Sequence, residues 1–329
     1  MTRPRRRILA AVVLILATLT VAAGTVEGIL EARDAERYPP PGFLVEVDQG
    51  RRLHMVATGL SSGGPTIVLE AGGSLTSSAW AWIQPQLSRY TRVVSYDRAN
   101  YGWSDPVTRQ PSASTVNTDL HKALMAADIP GPYLLVGHSI GGYYMEQFAR
   151  QYPDEVAAIV LLDPTPIGWV AMLPHDMVEN IRSQQGSLPA LAIATRLGLT
   201  RLANPMASVI SGLPSEAGSE LLAANLRYQQ VLGIQADTDV LMSLAAADGP
   251  GDPFEVPVLV ISSGISPDPQ YNTWEEAQWA AHMQIAGLSS AGEHKVLADA
   301  SHLGLVTDRT TSRTVVVEIL DLYNKLLAK

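Results

Sequence analysis

The decapeptide Tyr133–Gly142 constrains this chain more than any other segment. Four residues suited to a buried strand, Tyr133-Leu134-Leu135-Val136, run directly into Gly137-His138-Ser139-Ile140-Gly141-Gly142, and a stretch follows in which Met145, Phe148 and Ala149 share a helical face. A Gly-x-Ser-x-Gly pattern alone arises easily by chance. Between a strand and a helix it acquires a mechanism. The glycines remove Cβ atoms, so a sharp turn can hold Ser139 in strained geometry with its hydroxyl exposed, while the helix dipole and the Ile140 N–H face any developing oxyanion.

The rest of the chain supplies a frame for such a turn. Apolar runs that read as strands recur at Leu44–Val47, Arg52–Ala57, Thr66–Leu69, Arg92–Tyr96, Tyr133–Val136, Ala157–Leu162, Val256–Ser262 and Lys295–Leu297. Helical patterns lie at Ala79–Arg89, Ser114–Ala127, Ile140–Gln151, Thr273–Ala286 and Thr307–Leu327. This alternation predicts an α/β fold with a mostly parallel central sheet, helices on both faces and right-handed crossovers; the first two strands read as an antiparallel hairpin at one edge. With 329 residues, 47% of them hydrophobic, the chain can bury a large core in one domain, at most two. One interval breaks the rhythm. Residues 164–253 hold helix-like stretches near Met177–Gln184, Pro189–Leu197 and Glu216–Leu232 and no convincing strand, too long for an ordinary connection. They are expected to form a helical lid inserted between core segments 43–163 and 254–329.

Before the core, Ile8 to Val26 carries no charge and as a helix spans about 28 Å, enough to cross a bilayer. Four arginines (Arg3, Arg5, Arg6 and Arg7) precede the run and Glu27 follows it, so the positive-inside rule places residues 1–7 in the cytoplasm and the folded part outside. Cleavage near Ala22 and Gly24 is the competing expectation and would make the protein secreted; the apolar run is longer than an ordinary signal-peptide core. Glu31–Arg37 and Pro39-Pro40-Pro41-Gly42 read as a stiff spacer, residues 27–42. The net charge is −9, and without the four leading arginines 19 basic residues face 32 acidic ones, which argues against nucleic acid as a partner. There is no cysteine, hence no thiolate nucleophile, disulfide or sulfur-based zinc site.

A serine nucleophile needs a base. His302 follows a short strand and an Asp-Ala-Ser turn, on the sheet edge where Ser139 emerges. His138 sits inside the turn and reads as structural, and His294 is expected before its strand, at the opposite end. His294, Asp299 and His302 match no established metal-ligand spacing, so no metal is assigned. The second oxyanion donor is expected from the turn after the third strand, at the Gly73 N–H, with the Ile140 N–H as its partner. Trp80 and Trp82 either line a pocket or anchor the next helix.

On Asp97-Arg98-Ala99-Asn100-Tyr101-Gly102-Trp103-Ser104-Asp105, Gly137-His138-Ser139-Ile140-Gly141-Gly142 and the Tyr38–Gly42 segment, the chain resembles the α/β-hydrolase superfamily from Phe43 to its end, most nearly its membrane-anchored or secreted bacterial members. Two departures stand out. Ala71-Gly72 replaces the usual His-Gly before the oxyanion residue, and Asn100 replaces a frequent glycine, though asparagine tolerates positive φ. The resemblance implies an α/β-hydrolase fold and a Ser-His-Asp triad acting on a carboxylic ester or related acyl substrate without a cofactor. Ser139 argues against the dehalogenases and epoxide hydrolases of the superfamily, which carry aspartate there. The same machinery serves amides, thioesters, lactones, C–C hydrolysis and peracid formation, and a non-catalytic anchored binding protein is the alternative from another class. For the acid, Asp163 ends the sixth strand and Asp268 follows the seventh. Asp163 is preferred, because an orienting acid belongs on the rigid sheet. Trp169, Met172, Met177, Leu188, Leu191 and Tyr228 of the insertion predict an apolar pocket. Oligomeric state is not legible.

Overall fold

The computed structural model describes residues 3–61, 63–107, 112–173, 175–203, 206–244, 249, 251–264 and 272–328. Eight strands form one sheet: β1 (Phe43–Asp48), β2 (Arg51–Thr58), β3 (Thr66–Glu70), β4 (Val93–Tyr96), β5 (Tyr133–His138), β6 (Val156–Leu162), β7 (Val258–Ser263) and β8 (Gly292–Leu297). Their order is β1-β2-β4-β3-β5-β6-β7-β8; β1/β2 and β2/β4 pair antiparallel and all later pairs are parallel. The apolar strands are continuous runs because alternate residues feed two cores. Ile67, Leu69, Leu134, Val136, Val160 and Leu162 pack on one face beneath helix Arg309–Leu327. Val68, Leu135, Ile159 and Leu161 pack on the other, beneath Ala113–Ala126, Ile140–Gln151 and Asn272–Ala286. With both faces covered, the strand ends after β3, β5 and β6 become the open edge on which chemistry can be placed.

Several boundaries differ from expectation for local reasons. The helix expected over Ala79–Arg89 is a 3₁₀ turn, Ser77–Trp80, and a separate short helix, Gln84–Leu87: Pro85 has no N–H for an interior helical bond and instead starts the second piece. Between β6 and β7, the two expected helices around Pro189 are one, His175–Arg196, with an exposed Pro189 inside it. The Glu216–Leu232 stretch is instead two helices, Ser215–Asn225 and Tyr228–Leu244. Arg227 sits at the break, where its guanidinium donates to the Gly102 carbonyl (2.7 Å). The spacer expectation fails over Glu31–Arg37, because the N-terminal helix runs unbroken from Arg3 to Arg37. Glu27 and Asp34 lie two turns apart on one face of it, and both grip Arg201 of the insertion at 2.7 Å. Its apolar part is long enough to cross a membrane and is not buried by the rest of the protein.

Candidate active site

Three crossover points meet at the open strand edge. At the first, Ser139 joins β5 to helix Ile140–Gln151 at φ 57° and ψ −126°, a conformation side chains rarely adopt. Close backbone packing forces it: a Cβ on Gly137 would lie 2.4 Å from the Gly141 carbonyl oxygen, and one on Gly141 would lie 2.6 Å from that of Glu70. The Ser139 N–H donates to the Leu162 carbonyl (3.0 Å), while its own carbonyl accepts from Gly142 (2.9 Å) and Thr165 (3.1 Å). The turn is thereby bonded to the neighbouring strand and to the chain entering the insertion.

Asp163, the residue after β6, occupies the second point at φ 46°. Its buried carboxylate accepts from the Ser263 N–H (3.0 Å) and hydroxyl (2.9 Å) and lies 2.5 Å from His302 Nδ1. Burial alone would raise this carboxyl, but the His302 hydrogen bond and charge, helped by His282 and the Ser263 N–H, hold it well below the usual carboxylate range. Asp163 therefore faces the histidine as an anion. Asp268, the alternative acid, lies outside the described residues.

His302 follows β8, as expected from its place in the chain. Its Nδ1 is engaged by Asp163, and its carbonyl accepts from His138 Nε2 (2.9 Å). His138 is buried and structural: burial, with the adjacent His302, pushes its imidazole down to about 3, so it stays neutral and donates from Nε2. Ser139 and His302 line one cavity of about 220 Å³ with Thr165, Pro166, Trp169, Met172, Leu241, Trp274 and Gln278. Of the insertion residues read as pocket-lining, Trp169 and Met172 are there. Leu188 is buried elsewhere, and Tyr228 stacks under Arg196, whose guanidinium carbon lies 3.8 Å from the ring centroid. Trp80 is core and Trp82 donates to the Gly212 carbonyl (2.8 Å), so both anchor rather than line. His294 lies within β8 rather than before it and bonds Ser262 Oγ (2.7 Å). Ser262 also contacts His282 Nδ1 (2.7 Å), a buried histidine behind Asp163 that no local pattern singled out.

At the third point, after β3, the chain turns through Ala71-Gly72-Gly73. Gly72 packs on the nucleophile turn, since a Cβ there would lie 3.2 Å from Ser139 Cβ, and Gly73 lies against Ile140. Arg98 holds this turn from behind. Its Nη1 donates to the Ala71 carbonyl (2.7 Å) and its Nη2 to that of Gly72 (3.1 Å). In a trans peptide the N–H points opposite to the carbonyl, so drawing the Gly72 oxygen toward Arg98 turns the Gly73 N–H away from it. Arg98 is itself clamped between Glu70 and Asp237, the latter 2.8 Å away on helix Tyr228–Leu244 of the insertion. Tyr101 and Tyr144 donate to Asp237 at 2.5 and 2.8 Å, and burial, only partly offset by Arg98, pushes Glu70 up to about 7. Asn100 accepts the expected positive φ, at 71°.

A sequence model of the alpha/beta hydrolase family matches residues 67–315. An uncharacterized protein of Schizosaccharomyces pombe is 26% identical over 300 residues, covering 83% of this chain; the chain spans about half, 54%, of that relative. Among solved structures, the enol-lactonase from Burkholderia xenovorans LB400 aligns with a TM-score of 0.57 at 22% identity, covering 84% of this chain and 99% of that one. A Bacillus megaterium epoxide hydrolase aligns with a TM-score of 0.64 at 15% identity, covering 85% and 100%. Such likenesses carry the fold alone: a lactonase and an epoxide hydrolase share it.

Proposed function

The chain belongs to the alpha/beta hydrolase family, and from that membership we propose that it is a membrane-anchored serine hydrolase of carboxylic esters or lactones. The observation that carries this reading is the Asp163–His302 bond of 2.5 Å beside a strained Ser139 that shares a cavity with His302. With Nδ1–H held by an anionic Asp163, His302 presents Nε2 as the base. It takes the Ser139 proton as Oγ attacks the acyl carbon, and the carbonyl electrons move onto oxygen, facing the Gly73 and Ile140 N–H groups. Collapse expels the alcohol, which takes the proton from Nε2. Water then repeats the sequence on the acyl-enzyme and releases the acid.

The cavity favours a modest, apolar substrate. About 220 Å³ lies below the usual range for small-molecule sites, and Trp169, Met172, Leu241 and Trp274 supply apolar walls. The helical insertion over residues 164–253 acts as the lid that sets this selectivity. Ahead of it, the N-terminal helix serves as an uncleaved span, with the basic start inside and the catalytic part outside.

A fluorophosphonate probe tests the assignment. It is expected to label the peptide containing Gly137–Gly142, and labelling is expected to vanish in Ser139→Ala while the protein remains folded. Unchanged labelling of that variant would remove Ser139 from the mechanism. A folded wild-type protein that neither reacts with the probe nor turns over p-nitrophenyl esters would favour a binding protein on the same fold.

A further inference from the structure

The N-terminal helix and the helical insertion are not separated by a flexible tether. Helix Arg3–Arg37 is continuous, and Glu27, the first charge after the apolar run, is only 3% exposed because the insertion covers it. Arg201 Nε donates to both Glu27 carboxylate oxygens (2.9 and 2.7 Å), and Nη1 donates to Asp34 (2.7 Å). Gly198 lies against the same carboxylate; a Cβ there would be 2.7 Å from Glu27 Oε2. One turn closer to the span, Gly24 packs on the Arg196 carbonyl, 3.7 Å from where its Cβ would stand. The insertion thus reaches down the helix to a level inside the uncharged run.

Beside these contacts the insertion exposes large apolar side chains, with the Arg196 guanidinium among them folded over the Tyr228 ring. Ile193, Leu199 and Leu202 are 63%, 52% and 86% exposed, all within ten residues of sequence that bracket the Gly198 contact. Scattered exposed apolar residues are ordinary; three gathered where a membrane span leaves the domain are not. The cleft between helix and insertion, about 710 Å³, has matching chemistry. Val21, Leu197 and Leu232 line it together with Arg196, Arg227 and Tyr228, and Glu27 and Glu31 face it as well, so apolar wall, charge and an amphipathic ring meet there, the mixture found where a helix leaves a bilayer.

We infer that the edge formed by Ile193, Leu199 and Leu202 is a membrane-contact surface, which seats the insertion in the interface of the bilayer crossed by the protein's own N-terminal helix. The inference rests on the reading of that helix as a span. The Arg201 ion pairs fix the tilt at which the domain sits, and the exposed edge is buried by lipid rather than by protein.

The absence of cysteine makes the test direct. Full-length Leu199→Cys, Leu202→Cys, Val317→Cys and Leu14→Cys variants would each be labelled with an environment-sensitive fluorophore. They would be reconstituted in phosphatidylethanolamine–phosphatidylglycerol vesicles. Labels at 199 and 202 are expected to be quenched by spin-labelled lipid and protected from aqueous iodide, whereas a label on Val317, 59% exposed on the C-terminal helix, reports the iodide-accessible background. A label at position 14 quenched by lipid while 199 and 202 quench with iodide like 317 would overturn the contact surface alone. Iodide quenching at position 14 would overturn the span and the contact surface with it. Labels at 199 and 202 shielded from iodide but untouched by spin-labelled lipid would mean that another protein copy covers the edge, which also overturns the inference.

Discussion

Replacing Asp163 by asparagine separates the proposed acid from its alternative, and the hydrogen bonds around it set the size of the effect. Oδ1 accepts from the Ser263 N–H, whereas Oδ2 faces both the Ser263 hydroxyl and His302 Nδ1. An amide nitrogen placed at Oδ1 would confront the Ser263 N–H, donor against donor. Placed at Oδ2, it can be met by the hydroxyl as acceptor and by His302 only if Nδ1 is unprotonated. Asp163→Asn therefore moves the imidazole proton to Nε2, the nitrogen that must accept the Ser139 proton. Loss of the productive tautomer is expected to lower kcat by roughly 10³–10⁴, about 4–5 kcal/mol of barrier. The assay is single-substrate turnover of a p-nitrophenyl ester, read beside thermal unfolding. The native carboxyl titrates below its ordinary value of 3.8, so it stabilises the fold above that pH and the contribution is lost as pH falls. The variant's deficit in Tm should accordingly shrink in acid. Turnover within tenfold of wild type at pH 7, with a severe loss in Asp268→Asn instead, would refute the argument.

Three further outcomes follow from the geometry. Arg98→Met, which releases the Ala71 and Gly72 carbonyls, is expected to lower kcat by about 10²–10³ with KM little changed, the scale of losing one oxyanion donor; Asp237→Asn, which keeps one oxygen to accept from Arg98 and Tyr101, should lose less, and an Arg98→Met variant with wild-type kcat would contradict the positioning role. Gly141→Ala should destabilise the fold by about 1–3 kcal/mol through contact with the Glu70 carbonyl, visible as a lowered Tm. Burial raises Glu146 to about 7 against partial relief from Arg150, so its stabilising neutral form is lost as pH rises from about 4.5 through 7. Glu146→Gln should therefore be more stable than wild type at pH 8, by up to about 3 kcal/mol and visible as a higher Tm, with most of that gain gone at pH 5.

The sheet was legible because its strands are buried on both faces, which leaves apolar runs such as Ile159–Leu162 that no surface element shares. The places of Ser139 and His302 were legible for a related reason: Ser139 stands directly after β5 and His302 one short turn after β8, so position in the chain approximates position in space. Boundaries set by one backbone group were not. Pro85 broke a helix whose apolar pattern continued, while Pro189 failed to break one. Least legible were partners far apart in sequence. Arg98 lies within a motif that was read, yet nothing local connects it to Asp237, 139 residues away on the insertion. Arg201 and Glu27 are 174 residues apart. Two opposite charges in a long chain specify a contact only once the fold has brought them together.

Those two arginines give the insertion a defined place in the molecule. Arg98 and Asp237 tie helix Tyr228–Leu244 to the Ala71-Gly72-Gly73 turn that carries the proposed oxyanion donor, while Arg201, Glu27 and Asp34 tie the insertion to the N-terminal helix. The same helix carries Tyr228 in the cleft beside the N-terminal helix and Leu241 in the wall of the active-site cavity, about 20 Å further along its axis. A lid hinged freely over the cavity would make neither tie worth keeping buried, because unpairing Asp237 leaves charge stranded among Arg98, Tyr101 and Tyr144. Substrate selection then follows from a fixed wall rather than from large opening. Turnover should fall steeply once the acyl group outgrows the cavity, and a flat response across acyl lengths would mean that the ties open.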